Sequence, residues 1–559
     1  MKRGRVIRCV MWLSAALGAL VMLSSAGDGK FVLGKNLEIL VNVFRDINLF
    51  YVDDVDPDEL MTDMARGMVL NLDPYTEYIP QQSMETFDFQ TTGKYAGVGS
   101  VIRKSGDYVV FAEPYENAPA DKAGVFAGDK IVKIEGEDAK NFSTEQISNR
   151  LKGEPGTTVK IEVERFFTGE REQMKLQREI ITVPGVPYYG MVSESVGLIR
   201  HVDFTEECSK DMQKAIMVLK EQGAKGIIID YRSNGGGILQ EAVKIVSMFV
   251  PKGSEVVSTK GKIKEMNTTF VTESEPIDMD IPLVLLVNGS SASATEIVSG
   301  ALQDMDRAVL MGKRTFGKGL VQSTRPVGYD TYLKLTTAKY YLPSGRCIQA
   351  VDYAHRNDDG AIETIPDSLI KEYKTLNGRK IYDGGGVMPD VLLDEKYVSR
   401  FAYLVFSFNF IDEFVDEYLR KHGTADMAVV PGEYRFPDEH YGEFVTFMAD
   451  KEIDWEPETA RLLKQLKAKA KQELYLDAIS EELAAIEEKL TDDKEADLQL
   501  YKSDLVRMIE EEIVLRYNYS RGVIEHANAT DDQIAAAVEL LNNPAEYRRI
   551  LAEQDTQRK

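Results

Sequence analysis

The chain has 559 residues, of which 43% are hydrophobic and 28% are charged, as in ordinary globular proteins. This length exceeds what one hydrophobic core supports and predicts roughly three or four domains. The formal net charge of −24 would repel nucleic-acid phosphates, so the composition argues against nucleic acid as a partner.

Residues 1–26 have the composition of an export signal. Four basic residues among the first eight precede an apolar run from Val10 to Leu23, and small residues follow as far as Gly27. The apolar run is shorter than the roughly 20 residues of a comfortable membrane span. We expect either a signal peptide cleaved after Ala26 or an uncleaved membrane anchor. In both cases the rest of the chain is exported.

Residues 27–94 read as an N-terminal helical region. Apolar residues at helical spacing run from Leu33 to Ile47. Asp56 and Pro57 then predict the start of a second helix, because an acceptor side chain followed by proline is typical of a helix N-terminus. A turn at residues 73–78 ends this pattern.

Residues 95–167 change to the short apolar strands of a β module. The order of strands, the short helix predicted at 117–125 and the turn at 126–131 resemble a circularly permuted PDZ domain. Its ligand loop would contain Gly97, Val98 and Gly99, whose backbone N–H groups could converge on a peptide carboxylate. Taken alone, the Gly-Val-Gly string would equally fit a β-bulge.

Two strand–turn–helix units follow. The first has a fully apolar strand, 226–230, a glycine-rich turn containing Gly235, Gly236 and Gly237, and a helix predicted from Ile238. A continuous apolar strand is expected where helices cover both faces of a sheet. The turn lacks the spacing of the known phosphate-binding glycine loops, so phosphate binding is rejected.

The second unit has an apolar strand at 282–287, a turn, and a helix predicted at 294–304. Ser293 lies at the junction of the turn and the helix, beside the backbone N–H of Ala294. The first N–H groups of a helix have no hydrogen-bond partner within the helix, so this N–H is available. Helix capping is the ordinary role of Ser290, Ser291 and Ser293 at such a position.

Lys318 lies between Gly317 and Gly319, which permit a close backbone approach. A solvated turn lysine is the ordinary alternative. The five histidines, by contrast, occur in no recognisable catalytic or zinc-binding string, and neither Gly-x-Ser-x-Gly nor His-Glu-x-x-His is present.

Four strings carry a resemblance to a known family: SASATEIVSGALQD (291–304), GKRTFGKGLVQ (312–322), KLTTAKYYLPSGRCIQ (334–349) and GGGVMPDV (384–391). They resemble the C-terminal processing peptidases, which are tail-specific serine proteases, and the likeness runs from about residue 37 to 391. It implies a multidomain α/β protein with a ClpP/crotonase-like β-α-β protease core at 168–395. The PDZ domain and the N- and C-terminal helical regions flank this core.

The resemblance also implies roles for particular residues. Ser293 would be the nucleophile and Lys318 the general base, with Gln322 orienting the lysine. The oxyanion hole would be formed by the N–H of Ala294 and that of Gly236 or its neighbour Gly237. No metal ion or cofactor is expected.

A lysine base must be neutral at the working pH, and burial favours the neutral amine over the ammonium. Phe316, Leu320 and Val321 are the apolar neighbours expected to bury Lys318. A carboxylate beside the amine would restore its charge, so Asp304 is expected to have a structural role instead.

Residues 396–559 are acidic and carry helical patterns at 462–490, 501–517 and 531–541. No catalytic motif occurs there. We expect a helical appendage used for packing, self-association or adaptor contact.

Among the three cysteines, Cys9 lies in the leader. Cys208 and Cys347 are expected to be buried thiols, with a disulfide between them as the alternative in an oxidising compartment.

The sequence thus predicts an exported, periplasmic serine endopeptidase, either soluble or tethered to the inner membrane by its N-terminus. It would recognise the C-terminal tails of protein substrates. The alternative is a noncatalytic PDZ scaffold or chaperone with a protease-like fold, although such a protein should have lost Ser293 or Lys318.

Overall fold

A computed structural model describes residues 28–356, 362–490 and 494–552, so the predicted leader lies outside the described residues. The described chain divides into two compact units. The first contains residues 28–84, 321–337 and 353–356, and the second contains residues 85–320, 338–352, 362–490 and 494–552.

The first unit begins with the predicted helices. Asp56 caps the second of them by accepting hydrogen bonds from the N–H groups of Asp58 and Glu59, which confirms the predicted start. The strand that follows pairs antiparallel with residues 332–334. These elements are α1 (Asp28–Phe50), α2 (Pro57–Val69) and β1 (Glu77–Ile79).

The β module of the second unit is built on a sheet of order β3-β4-β5-β7-β8, with β6 paired to β5 and a separate β2–β9 pair. The sheet includes β8 and therefore extends beyond residue 167. Its strands are β2 (Lys94–Gly97), β3 (Ser100–Ser105), β4 (Tyr108–Pro114), β5 (Lys130–Ile134), β6 (Glu137–Asp138), β7 (Thr158–Glu164), β8 (Arg171–Gln177) and β9 (Glu179–Thr182). Its helices are α3 (Met84–Thr92), α4 (Pro119–Lys122) and α5 (Thr144–Leu151).

The core sheet has six strands in the order β10-β11-β12-β15-β16-β23. The β10–β11 pair is antiparallel and the other four pairs are parallel. Its strands are β10 (Tyr188–Met191), β11 (Val196–Arg200), β12 (Gly226–Asp230), β15 (Leu283–Val287), β16 (Val309–Gly312) and β23 (Val391–Leu392). The helices between them are α6 (Cys208–Glu221), α7 (Leu239–Ser247) and α8 (Ala294–Asp304). Every residue of β12 and β15 is buried, as their apolar composition predicts.

Further strands lie between these elements. In the second unit, β13 pairs with β14 and with residues 338–341 of β18. The remaining strands are β13 (Glu255–Gly261), β14 (Thr268–Val271), β17 (Leu320–Gly328), β18 (Thr331–Tyr341), β19 (Val351–Arg356), β20 (Ile362–Thr364), β21 (Glu372–Lys374) and β22 (Lys380–Tyr382).

The C-terminal region is helical, as predicted, with its own core around Phe414, Phe444 and Ile509. The predicted helical stretch 462–490 is interrupted after Gln472, where Leu474 has a positive φ of 62°. The helices are α9 (Arg400–Ser407), α10 (Phe410–His422), α11 (Tyr441–Met448), α12 (Glu458–Gln472), α13 (Ser480–Lys489), α14 (Lys494–Leu500), α15 (Lys502–Asn528), α16 (Asp532–Leu541) and α17 (Pro544–Ala552).

The last two helices pack on the core sheet. Ile534, Leu541 and Tyr547 belong to the same buried cluster as Ile228 and Val284 of the sheet. The expected appendage therefore supplies α16 and α17 to the core, because without them this face of the sheet would expose its apolar side chains to water.

Among the described helices, none combines the length and the apolar composition needed to cross a membrane. Cys208 and Cys347 are free thiols, as favoured by the sequence. Cys208 is buried, as expected, whereas Cys347 is only half-buried.

Candidate active site

The two predicted turns lie at the same edge of the core sheet. Strands β12 and β15 are parallel neighbours, with Asp230 opposite Leu286. Because parallel strands end at the same edge, the turns that follow them are adjacent. Ser291 joins them directly, since its hydroxyl donates to the carbonyl of Tyr231 at 2.9 Å. Ser291 therefore has a structural role, while Ser290 is exposed.

Ser293 has a backbone conformation that non-glycine residues rarely adopt, with φ 56° and ψ −116°. Such strain costs about 1–3 kcal/mol and clusters at functional sites. The backbone of Gly236 packs directly against Ser293. A Cβ atom at position 236 would lie 2.7 Å from Ser293 Cβ and 2.8 Å from Ala294 N. Only glycine fits at position 236.

The two turns present backbone N–H groups beside Ser293. Among the described residues, the N–H of Ala294 and that of Gly237 have no hydrogen-bond acceptor. The N–H of Gly236, in contrast, donates to Oδ1 of Asn234 at 2.9 Å. Asn234 is fully buried and holds this turn in place.

Glu296 was not singled out from the sequence, yet its buried carboxylate connects the serine and lysine segments. Oε2 accepts hydrogen bonds from Ser293 N and Lys318 N, both at 2.9 Å. Oε1 accepts from the Thr315 hydroxyl at 2.5 Å and from Gly317 N at 2.8 Å. Burial raises the pKa of this carboxyl, and the hydrogen bonds oppose the shift. The spacing Ser-x-x-Glu, typical of a capping box, was the available sequence signal.

A second side chain, Tyr340, connects the same two segments. Its hydroxyl lies 3.1 Å from the carbonyl oxygen of Ser293 and 2.6 Å from that of Lys318. The Ser293 and Lys318 backbones are thus fixed relative to each other through both their N–H and their C=O groups.

Lys318 itself is half-buried. Of the apolar neighbours expected around it, Leu320 is buried, but Phe316 is 50% exposed and so does not form the buried wall that was predicted. Asp304 is structural, as expected, because its buried carboxylate pairs with Arg346 at 2.8 Å.

Gln322 belongs to the first unit. Its side-chain amide donates to the Thr336 hydroxyl at 3.1 Å, and that hydroxyl donates to Asp73 in the turn before β1.

Strand β12, which precedes the glycine turn, ends in Asp230, a buried carboxylate that pairs with two arginines. Asp230 contacts Arg200 at 2.5 Å and Arg232 at 2.7 Å. Burial opposes ionisation of Asp230, but hydrogen bonds from Arg232 and the charge of Arg200 together lower its pKa. Arg232 also contacts Asp531, just before α16, at 2.8 Å. The C-terminal region thereby supports the turn that carries Gly236.

His201 lies close to this turn but is not a plausible general base. It is completely buried, and desolvation lowers its pKa to about 3. Its Nε2 lies 2.9 Å from the carbonyl of Asp203, while the side chain of Asn234 donates to the backbone carbonyl of His201. His201 is therefore neutral and structural.

The predicted peptide-binding loop begins at the last residue of β2, Gly97, and continues through Val98 and Gly99 to β3. Gly97 is paired with Glu179 in the β2–β9 ladder, and Val98 is buried. Gly99 has a φ of 72°, and a Cβ atom there would lie 2.3 Å from Ala118 Cβ. Glycine is thus required at position 99 by both conformation and space.

Comparison with known proteins gives three family matches. Residues 195–355 match peptidase family S41, residues 110–165 match a PDZ domain, and residues 402–541 match the C-terminal helical domain of probable PDZ-proteases. These matches define the class of protein as a serine-type peptidase with a PDZ domain.

Individual relatives agree with this class. A carboxy-terminal-processing protease of Bartonella bacilliformis is 35% identical over 321 residues, covering 57% of this chain and 73% of the relative. A probable CtpA-like serine protease of Staphylococcus aureus is 30% identical over 420 residues, covering 74% and 82%. Among solved structures, a photosystem II D1 C-terminal processing protease is 26% identical, covers 64% of this chain and 93% of its own, and has a TM-score of 0.34. The chain belongs to the carboxy-terminal-processing proteases of peptidase family S41.

Proposed function

We propose that this protein is an exported endopeptidase that selects protein substrates by their C-terminal tails and cleaves them with Ser293 and Lys318. The observation that carries the proposal is the arrangement around Glu296. One carboxylate oxygen holds the backbones of both residues. Ser293 is strained and stands beside the N–H of Ala294, which has no acceptor among the described residues. A merely structural serine and a solvated lysine would need neither feature.

The reaction would proceed through an acyl-enzyme. The Ser293 hydroxyl attacks the scissile carbonyl carbon while the neutral Lys318 amine takes its proton. The resulting ammonium returns this proton to the leaving amine. A water molecule, deprotonated by the same lysine, then hydrolyses the ester and regenerates the serine hydroxyl. This cycle uses no cofactor or metal ion.

The oxyanion would be stabilised by backbone N–H groups of the two turns. Ala294 supplies one. Of the two glycines considered for the other, we favour Gly237, because the N–H of Gly236 already donates to Asn234. Gly236 then contributes by its lack of a side chain, which lets the two turns approach each other. The role of Gln322 in orienting Lys318 rests on the family resemblance alone.

Substrate tails would bind to the PDZ domain at Gly97, Val98 and Gly99. Strand β3 is the terminal strand of its sheet, so an extended peptide can add to it as a further strand. The loop amides would hold the terminal carboxylate.

Cleavage of a defined protein with an apolar C-terminus, followed by mass spectrometry, tests the proposal. The Ser293→Ala and Lys318→Ala variants should lose cleavage while retaining the binding of a C-terminal peptide. Ser290→Ala is the matched control, because this exposed serine belongs to the same turn, and it should cleave normally. Undiminished cleavage by Ser293→Ala would refute the assignment. Peptide binding without cleavage by the unsubstituted protein would favour the noncatalytic scaffold instead.

Export is proposed from the leader composition. We propose a periplasmic location, either soluble or tethered to the inner membrane. N-terminal sequencing of the exported protein distinguishes the two: it should begin at Gly27 after cleavage or retain the leader as an anchor. Retention of the protein in the cytoplasm would contradict both.

A further inference from the structure

Two of the five histidines meet in the C-terminal helical region, away from any sequence motif. His422 is the last residue of α10, His440 ends the short 3₁₀ turn at Asp438–His440, and Glu443 lies in the first turn of α11. One ring nitrogen of each histidine and one carboxylate oxygen of Glu443 all lie within 4.8 Å of one another. Three potential ligands near two helix ends thus lie close together.

Their chemistry matches a transition-metal site better than a hard-cation site. Two imidazoles with a carboxylate are a known ligand set for Zn²⁺, with water as the fourth ligand, at bond lengths of about 2.0–2.2 Å. Such bonds place ligand atoms about 3.4 Å apart in a tetrahedral site. Nε2 of His422 is already 3.1 Å and 3.2 Å from the two carboxylate oxygens of Glu443. A ring nitrogen of His440 lies within 4.8 Å of both groups, so the His440 ring must move closer to complete the set.

The histidine rings are held by aromatic neighbours. The two imidazoles stack with their centroids 4.6 Å apart, and Tyr418 packs against both, at 4.7 Å from His422 and 5.6 Å from His440. The Tyr418 hydroxyl lies 2.8 Å from Nδ1 of His440. A metal-bound histidine typically has such a partner on the nitrogen that does not bind the metal, so Nε2 of His440 is the nitrogen assigned to the ion.

The charges around the cluster suit a cation. Glu443 supplies the one carboxylate of the cluster, and its oxygens lie within hydrogen-bond distance of both Lys421 and His422. Lys421 is the competing cation, at 2.9 Å from Glu443. Its side chain is 63% exposed and can turn into water when an ion binds.

We propose that His422, His440 and Glu443 bind one Zn²⁺ ion, which joins the end of α10 to the start of α11. The ion would close the connecting segment 423–439. This segment packs on α15, where Gly432 N donates to His526 and Phe436 N donates to Glu510. Zinc would therefore stabilise the helical region rather than take part in peptide cleavage.

Titration of the metal-stripped full chain with Co²⁺, followed by competition with Zn²⁺, tests this site. We expect one ion per chain, with the visible absorption of four-coordinate Co²⁺ and no thiolate charge-transfer band, which rules out the free cysteines. Zn²⁺ should raise the unfolding temperature, whereas Mg²⁺ should not, because imidazole is a poor ligand for hard cations.

Two single variants locate the ion. His422→Ala and His440→Ala should each weaken Zn²⁺ binding at least tenfold and remove the zinc-dependent rise in unfolding temperature. His422 is exposed, so its replacement should leave the fold intact even if His440→Ala does not. Glu439→Gln, an exposed neighbour outside the cluster, is the matched control and should bind normally. Failure to bind Zn²⁺ at micromolar concentration, or equal binding by the control and the His422 variant, would overturn the proposal.

Discussion

Glu296 illustrates how a single buried residue organises the candidate active site. Its two oxygens accept hydrogen bonds from four donors on two segments that are remote in sequence. Each donor would be left unsatisfied in a buried site if the acceptor were removed, at about 1–3 kcal/mol apiece. The geometry of Ser293 and Lys318 therefore depends on this carboxylate, although it would not contact the substrate.

The Glu296→Gln variant tests whether this carboxylate fixes the positions of Ser293 and Lys318. An amide group cannot accept at both positions, so its NH₂ would face backbone N–H donors and displace one segment from the other. We expect kcat to fall at least tenfold and the free energy of unfolding to fall by about 2 kcal/mol. KM and PDZ peptide binding should change little. Steady-state kinetics and peptide binding measure these effects.

Glu265→Gln is the control for that substitution, because Glu265 is an exposed glutamate of the same unit. It should behave as the unsubstituted protein does. Normal kcat in Glu296→Gln would show that the Ser293 and Lys318 segments do not require this carboxylate.

At the scale of elements, α17 makes a specific contact with the core sheet in addition to apolar packing. The Tyr547 hydroxyl hydrogen-bonds to both the N–H and the carbonyl of Leu283, each at 3.0 Å. Leu283 begins β15, the strand that leads to Ser293. The C-terminal helix therefore satisfies backbone groups that the sheet leaves unpaired at this point.

The Tyr547→Phe variant isolates this contact. It leaves the ring but removes the partner of two buried backbone groups, so the free energy of unfolding should fall by about 1–3 kcal/mol. The cleavage rate per folded molecule should be unchanged. Denaturant unfolding measures the loss, with Tyr475→Phe as the control because Tyr475 is 64% exposed. Equal unfolding midpoints for the two variants would contradict the role given to Tyr547.

At the scale of the second unit, a buried charge cluster joins the PDZ domain to the helical region. Arg103 of β3 contacts Asp412 at 3.0 Å and Asp416 at 3.1 Å, both on α10. Arg516 of α15 contacts Asp416 at 3.0 Å and Glu512 at 2.7 Å. Two arginines thus face three carboxylates. Burial, together with the nearby charge of Asp412, raises the pKa of Glu512 despite the opposing charges of Arg516 and Arg103.

The excess of carboxylates over arginines in this cluster predicts that the stability of the protein depends on pH. The folded protein holds a proton on Glu512 more tightly than the unfolded chain does. The contribution of protonated Glu512 to the free energy of unfolding is therefore fully present below the usual carboxyl pKa. It is lost as the pH rises through the raised pKa that Glu512 has in the folded protein. Glu512→Gln, which resembles the protonated acid, should be more stable than the unsubstituted protein at pH 8, and the difference should shrink toward pH 5.

Denaturant unfolding across this pH range measures that difference. Glu511→Gln is the matched control, because Glu511 pairs with Arg507 within α15 and faces a different set of charges. A pH-independent difference between Glu512→Gln and the unsubstituted protein would contradict the explanation.

The sequence predicted the two strand–turn–helix units well. Continuous apolar strands and small-residue turns are local signals, and β12, β15, α7 and α8 formed close to their predicted positions. The membership of the family was likewise readable from short strings around Ser293 and Lys318. Predictions that depended on side-chain surroundings were less successful, as the exposure of Phe316 shows.

Local patterns thus determined the order of the domains, the family and the identity of the candidate nucleophile and base. Only the tertiary structure revealed Glu296 as the link between their backbones, the occupied N–H of Gly236, and the packing of α16 and α17 on the core sheet. The physical reason is distance along the chain. Hydrogen bonds and apolar contacts between residues tens or hundreds of positions apart leave no periodicity or spacing in the sequence.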